Sequence, residues 1–188
     1  MPPELSRFTS RTPDGWLLEH TAGSMAGPAP TLDGVVLGAG PYGPLRLSYT
    51  LECHPSGSVR RTNVHIEYRD RLAEWHLSAD GFGHWFEQGV PVAALTGSLD
   101  LALWCTPSTL CFPIRRLQLP FGGRHECPVA ALSGPDAPLS IWHFRFTHVS
   151  GNSEGHLFEV VNLTRDERLD VVMDPQGFVL RAGDYARA

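Results

Sequence analysis

The sequence predicts an antiparallel all-β protein, a roll, sandwich or open barrel, and three observations carry that prediction. Apolar and polar residues alternate with period two through most of the chain. Glycine and proline, 19 and 16 of 188 residues, recur too often for long helices. Turn signals separate the alternating runs at hairpin spacing, and about eleven strands are expected.

In chain order, Trp16 to His20 reads as strand. The Gly/Pro-rich segment 23 to 34, GSMAGPAPTLDG, reads as a loop or distorted edge connection. The run LRLSYTLEC then sets Leu45, Leu47, Tyr49, Leu51 and Cys53 on one face against Arg46, Ser48, Thr50 and Glu52 on the other, a half-buried strand. VRRTNVHIEY does the same with Val64, Ile66 and Tyr68, LAEWHLSA with Ala73, Trp75, Leu77 and Ala79, and SIWHFRFTH with Trp142, Phe144 and Phe146. The separators HPSGS, FGGRHE, SGPDAP, VSGNSEG and DPQG are turns, because glycine supplies positive φ and proline presets φ. No window of a dozen residues sustains a 3.6-residue period, and LTRDERLD (163 to 170) is the expected single helical turn.

Between residues 97 and 119, GSLDLALWCTPSTLCFPIRRLQL runs an apolar passage into two adjacent arginines. Proline cannot donate to a central ladder, so Pro107 and Pro113 place a strand at 99 to 105, a connection at 106 to 113 and a second strand at 114 to 119. In that hairpin Arg115 shares the apolar face with Leu117 and Leu119. Arg116 shares the outer face with Asp100, Ala102 and Trp104, as one half of an exposed ion pair.

Composition bounds the function. At 188 residues, 42% of them hydrophobic, the chain is expected to form one domain, 1 to 188, with one core. Its formal charge is −5, every basic side chain is arginine, and no basic run exceeds two residues, which argues against nucleic acid. No segment is apolar enough to span a membrane and the N-terminus lacks the pattern of a signal peptide, so a soluble cytoplasmic protein is expected. Cys53, Cys105, Cys111 and Cys127 show no CxxC spacing and read as buried free thiols. There is no nucleophile elbow, phosphate loop or HExxH motif, and neither Cys53-His54 nor His125 with Cys127 completes a zinc set, so no metal or cofactor is expected.

Several motifs together resemble the glycolipid-binding protein family of bacteria. They are Glu19-His20 after Trp16, LSYTLEC followed by SVRRTNVHI, DGFGHW (80 to 85), GSLDLALWCTPSTLCFPIRRL (97 to 117) and MDPQGFVLRAGDYAR (173 to 187). The resemblance spans nearly the whole chain and implies a spiral β-roll, or open half-barrel, that binds a glycolipid or similar amphiphile. Two positions depart from the family pattern: Ala102 stands where a second acidic residue falls, and Leu110 where an asparagine falls.

The leading expectation is a non-catalytic carrier or sensor of such an amphiphile. Its wall would be built from Trp75, Trp85, Trp104, Trp142 and Phe144, and its polar end from Arg115, Arg116, Asp100 and Thr109. Two other classes fit the same residues: a carbohydrate-active enzyme using a carboxylate such as Asp100, and a module that self-associates through a sheet edge or apolar face.

Overall fold

The computed structural model describes residues 4–12, 15–40 and 43–187. Among them fifteen strands follow one another: β1 (Glu4–Thr12), β2 (Gly15–Ser24), β3 (Thr31–Gly40), β4 (Gly43–Cys53), β5 (Val59–Tyr68), β6 (Arg71–Ala79), β7 (Trp85–Glu87), β8 (Val90–Pro91), β9 (Leu101–Leu103), β10 (Arg124–Leu132), β11 (Ser140–Asn152), β12 (Gly155–Asn162), β13 (Glu167–Met173), β14 (Val179–Ala182) and β15 (Tyr185–Arg187). They form a single curled sheet in the order β8 to β1, then β15 down to β9. All pairings are antiparallel except β9 with β10. The outermost strands, β8 and β9, are very short, and β8 carries Pro91, which suits an edge.

The alternation decides which face turns inward. Leu45, Leu47, Tyr49, Leu51 and Cys53 of β4 are buried, as are Val64, Ile66 and Tyr68 of β5 and Trp142, Phe144 and Phe146 of β11. One face of both halves of the sheet therefore contributes to a common core. The 23 to 34 segment is a shorter loop than expected, Met25 to Pro30, with both end residues buried. In 163 to 170, residues 163 to 166 form a turn rather than a helix, and β13 begins at Glu167.

The expected hairpin at 99 to 119 is replaced by something else. Only Leu101 to Leu103 is strand; a 3-10 turn follows at Ser108–Leu110, and then the protein's one α-helix among the described residues, α1 (Cys111–Leu117). The prolines mislead a period-two reading here. Pro113 is the third residue of α1, where its missing N–H is one of those a helix leaves unbonded anyway. The run from Leu110 to Ile114 is buried without alternation, as expected for a short helix enclosed on all sides. Gln118, with φ 46°, ends the helix in the left-handed conformation, and Pro120 prevents its continuation.

In a helix, adjacent residues point about 100° apart rather than to opposite faces, which resolves the paired arginines. Arg115 lies over the β13–β14 turn, where a Cβ added to Gly177 would sit 3.2 Å from its Cδ. Arg116 lies over the β4–β5 turn, 3.3 Å from the corresponding position on Gly57. Both glycines have positive φ, 96° and 89°, so the turns need glycine for conformation as well as for clearance. From there Arg116 reaches inward. Its Nε and Nη2 donate to Asp100, the shortest bond being 2.6 Å, with Asp100 fully buried and the Arg116 side chain only 16% exposed.

This corrects the exposed ion pair expected on an outer face. Ala102, expected to face solvent opposite Arg116, is also buried, in β9. Removing one partner of a buried pair strands the other charge, at a cost of about 3 to 5 kcal/mol. Arg116→Ala is therefore expected to lower the denaturant midpoint by that equivalent. Arg60→Ala, which breaks the exposed 2.7 Å pair with Glu52, should change stability by about 1 kcal/mol or less. Similar small shifts for both variants would show that Asp100 and Arg116 meet in water.

Candidate functional site

A cavity of about 590 Å³ opens between the inner face of the roll and the segment from Ala102 to Leu110 that leads into α1. Its walls are mainly apolar: Leu103 and Trp104 from that segment, Leu45 of β4, Trp142 and Phe144 of β11, and Val160 of β12. Trp142 and Phe144 lie tilted against each other at 6.2 Å between ring centroids. Exposure distinguishes the ends. Trp16, Arg168 and Asp184 are exposed and mark the mouth, whereas Thr106, Leu110 and Tyr185 are buried and mark the closed end.

The mouth carries charge on a fixed frame. Asn162, buried at the end of β12, accepts the backbone N–H of Thr164 at 3.1 Å and of Arg165 at 3.3 Å, and Thr164 Oγ1 accepts the N–H of His143. These bonds pin the β12–β13 turn so that the Arg165 guanidinium lies 5.1 Å over the Trp142 ring while its Nε donates to Glu167 at 2.9 Å. Arg168 and Asp184 complete the rim. An arginine stacked on an aromatic wall at an apolar opening can hold an anionic or hydroxylated group there.

At the closed end sits a buried carboxyl group. Glu19, on β2, has no exposed surface and accepts three hydroxyl hydrogen bonds, from Tyr49 at 2.7 Å, Thr106 at 2.8 Å and Ser108 at 2.7 Å. Tyr49 reaches it because position 34, its neighbour on β3, is glycine; a Cβ there would lie 2.3 Å from the Tyr49 ring. Burial raises the Glu19 carboxyl from its ordinary 4.5 to about 7, and the three hydroxyl bonds only partly oppose that rise. Thr106 and Tyr185 stand between this carboxyl and the cavity, their oxygens 3.5 Å apart.

The structure gathers some of the sequence-selected residues and separates others. Trp104, Trp142 and Phe144 meet on the cavity wall. Trp85 is buried elsewhere, its Nε1 donating to the Ser98 carbonyl at 2.9 Å, and Trp75 is half-buried against the core of β6. Asp100, Thr109, Arg115 and Arg116 belong to the neighbourhood of α1 and are not among the lining residues. There Asp100 is engaged by Arg116, and Thr109 Oγ1 and Arg115 Nη1 are buried with no hydrogen-bond partner among the described residues. In DGFGHW the Asp80 carboxyl is held at about 2, first by its bond to the His84 ring and then by the Phe82 N–H, as a turn-forming residue. All four cysteines are free and buried, and burial pushes their thiols up, Cys127 to about 11. Among the described residues no three His, Cys, Asp or Glu side chains are grouped to hold a metal. Among the described residues no helix is long and apolar enough to cross a membrane.

Glu19, Thr106, Tyr185, Asn162 and Arg165 are absent from the sequence-selected set. The signal for Glu19 is weak because on β2 the outward row, Trp16 and Leu18, is more apolar than the inward row of Leu17, Glu19 and Thr21. The two positions that the resemblance implied to be departures find a common place. Ala102 and Leu110 both lie on the cavity wall and make it more apolar.

Fold and site together define a class, an all-β roll enclosing an apolar cavity with a charged rim. A DUF1089-family protein from Pseudomonas aeruginosa has a similar structure, with a TM-score of 0.76 and 26% identity over 95% of each chain. A β-barrel-like DUF1849 protein from Brucella abortus shares the fold alone, with a TM-score of 0.57 and 9% identity over 100% of this chain and 96% of that one. No curated protein matches the chain. The family model described as "Putative glycolipid-binding" matches residues 9–188, and the chain belongs to that family.

Glu19 makes stability depend on pH. Between about pH 4.5 and 7 the folded protein retains a proton on this carboxyl that the unfolded chain releases. The corresponding stability is therefore full below about 4.5 and is lost as pH rises through about 7, a fall of about 3 kcal/mol. Denaturation midpoints measured across this range should decline for the wild type, and Glu19→Gln, which carries no titrating proton, should flatten that part of the profile. An unchanged decline in the variant would assign the effect to another group.

Proposed function

We propose that the protein is a non-catalytic carrier or sensor that takes the apolar part of a glycolipid-like amphiphile into the cavity, with Trp104, Trp142 and Phe144 as wall and Arg165 at the mouth. The observation that carries this reading is the combination of an apolar cavity of about 590 Å³ with a stacked arginine held at its opening. Membership of the glycolipid-binding family supports it. A cavity of that size falls within the roughly 300 to 1,000 Å³ of small-molecule sites.

Arg115, Arg116, Asp100 and Thr109 enter this reading through their place in and beside α1, which follows the Ala102–Leu110 segment that forms one side of the cavity, and not as direct ligand contacts. The carboxylate named for the enzymatic alternative, Asp100, is fully buried and bound to Arg116. It is poorly placed to meet a sugar.

Ala39, half-buried on β3, lines the cavity, so Ala39→Trp should fill the opening with little cost to the core. A fluorescent apolar probe such as N-phenyl-1-naphthylamine is expected to bind the wild type and to bind this variant at least tenfold more weakly. Arg165→Ala should weaken dodecyl phosphate severalfold while leaving the neutral probe unaffected. Equal probe binding by wild type and Ala39→Trp would place the ligand outside the cavity.

A further inference from the structure

The halves of the sheet are bridged differently at the two ends of β5. Where β5 begins, the turn at Gly57 underlies α1, which the buried pair of Asp100 and Arg116 fixes in place. Where β5 ends, the β5–β6 hairpin meets the tip of the β10–β11 loop (133 to 139). Asp136 Oδ1 accepts the Tyr68 hydroxyl and lies 2.8 Å from Arg71 Nη1, while the Arg71 guanidinium carbon sits 5.7 Å from the Tyr68 ring centroid. The cavity opens at this second end. Gly43 at the start of β4, Asn162 at the end of β12 and Arg165 in the following turn line it there. So do Ser133, where the loop leaves β10, and Leu45, the cross-strand partner of Tyr68.

The two bridges differ in strength. Asp100 is out of water, so breaking its pair strands a charge. The side chains of Arg71 and Asp136 are 65% and 55% exposed, and water replaces either partner at little cost. Leu132 and Leu139 anchor the loop at both ends by packing against the core. Between them the buried residues that release would uncover, Gly134 and Pro135, are small and bury little apolar area. Moving parts are drawn from such weakly held segments.

We propose that the β10–β11 loop is a gate on one flank of the cavity, latched by Asp136 onto Tyr68 and Arg71, and that ligand enters and leaves when this latch releases. This rests on the carrier reading above and adds a route of entry to it. None of the three latch residues lines the cavity. The gate therefore sets the rates of entry and exit together and leaves their ratio, the affinity, unchanged.

The experiment follows association and dissociation of N-phenyl-1-naphthylamine by stopped-flow fluorescence. Asp136→Ala, an exposed substitution that removes both latch contacts, should raise the two rates about fivefold each and leave Kd unchanged. Arg71→Cys combined with Asp136→Cys, bridged by a short bismaleimide, should slow both rates about tenfold or more, again at constant Kd. Each single-cysteine variant treated with the same reagent is the control, and the four native cysteines are buried away from it. Bridged protein that exchanges the probe as fast as these controls would overturn the gate and leave the carrier reading standing. An Asp136→Ala effect on Kd alone, with one rate unmoved, would also overturn it. A wild type that bound no probe would overturn the carrier reading, and the gate with it.

Discussion

The ion pair between Asp100 and Arg116 is the constraint on which the interior depends. It joins the last residue before β9 to the last turn of α1 through the core, and between those two points the chain supplies one side of the cavity, from Ala102 to Leu110. A buried pair of this kind adds little net stability compared with a well-packed apolar substitute. What it does add is specificity of placement, since a guanidinium taken out of water has few other acceptors within reach. The flanking turns reinforce the position. With Gly57 under Arg116 and Gly177 under Arg115, α1 rests between a hairpin of each half of the sheet, and its location is set by both.

Much of the sheet was legible in the sequence because its strands are covered on one face only. Β-strands such as Val59–Tyr68 and Gly43–Cys53 alternate cleanly, and their inward residues follow from parity. The segment 99 to 119 was not legible, because its run from Leu110 to Ile114 is buried throughout and so displays no period. Its prolines suit both a broken hairpin and the first turn of a helix, and only the surrounding roll decides between them. The same limit applies to the site. The aromatic wall at Trp104, Trp142 and Phe144 could be anticipated from residue type, whereas the rim and closed end combine β2, β12, β13, β15 and the 3-10 turn, which no local pattern links.

The cavity is graded in chemistry along its depth. At the rim, opposite charges such as Arg165 and Glu167 neutralise each other in water, where such a pair contributes little to stability. Away from the rim, Ala102, Leu103 and Phe144 supply apolar wall. At the closed end, polarity returns in hydroxyl groups grouped around one carboxyl. Because Tyr49 crosses Gly34 to reach that carboxyl, the polar end is braced by three adjacent strands of the first half of the sheet. Its geometry therefore rests on sheet as well as on the Thr106–Ser108 segment.

The strand order has a consequence for how the molecule forms. Apart from the join of β1 to β15, every neighbouring pair in the sheet is also consecutive in the chain, so β1 to β8 and β10 to β15 are two antiparallel meanders built of hairpins, with β9 added in parallel through α1. Contacts of short sequence separation carry a small loop-closure entropy and form quickly for a β protein. Along the sheet the halves share, among the described residues, the register Phe8↔Arg187 and Thr9↔Ala186. The segment from β9 to α1, which touches turns of both halves, adds a second connection between them through the interior.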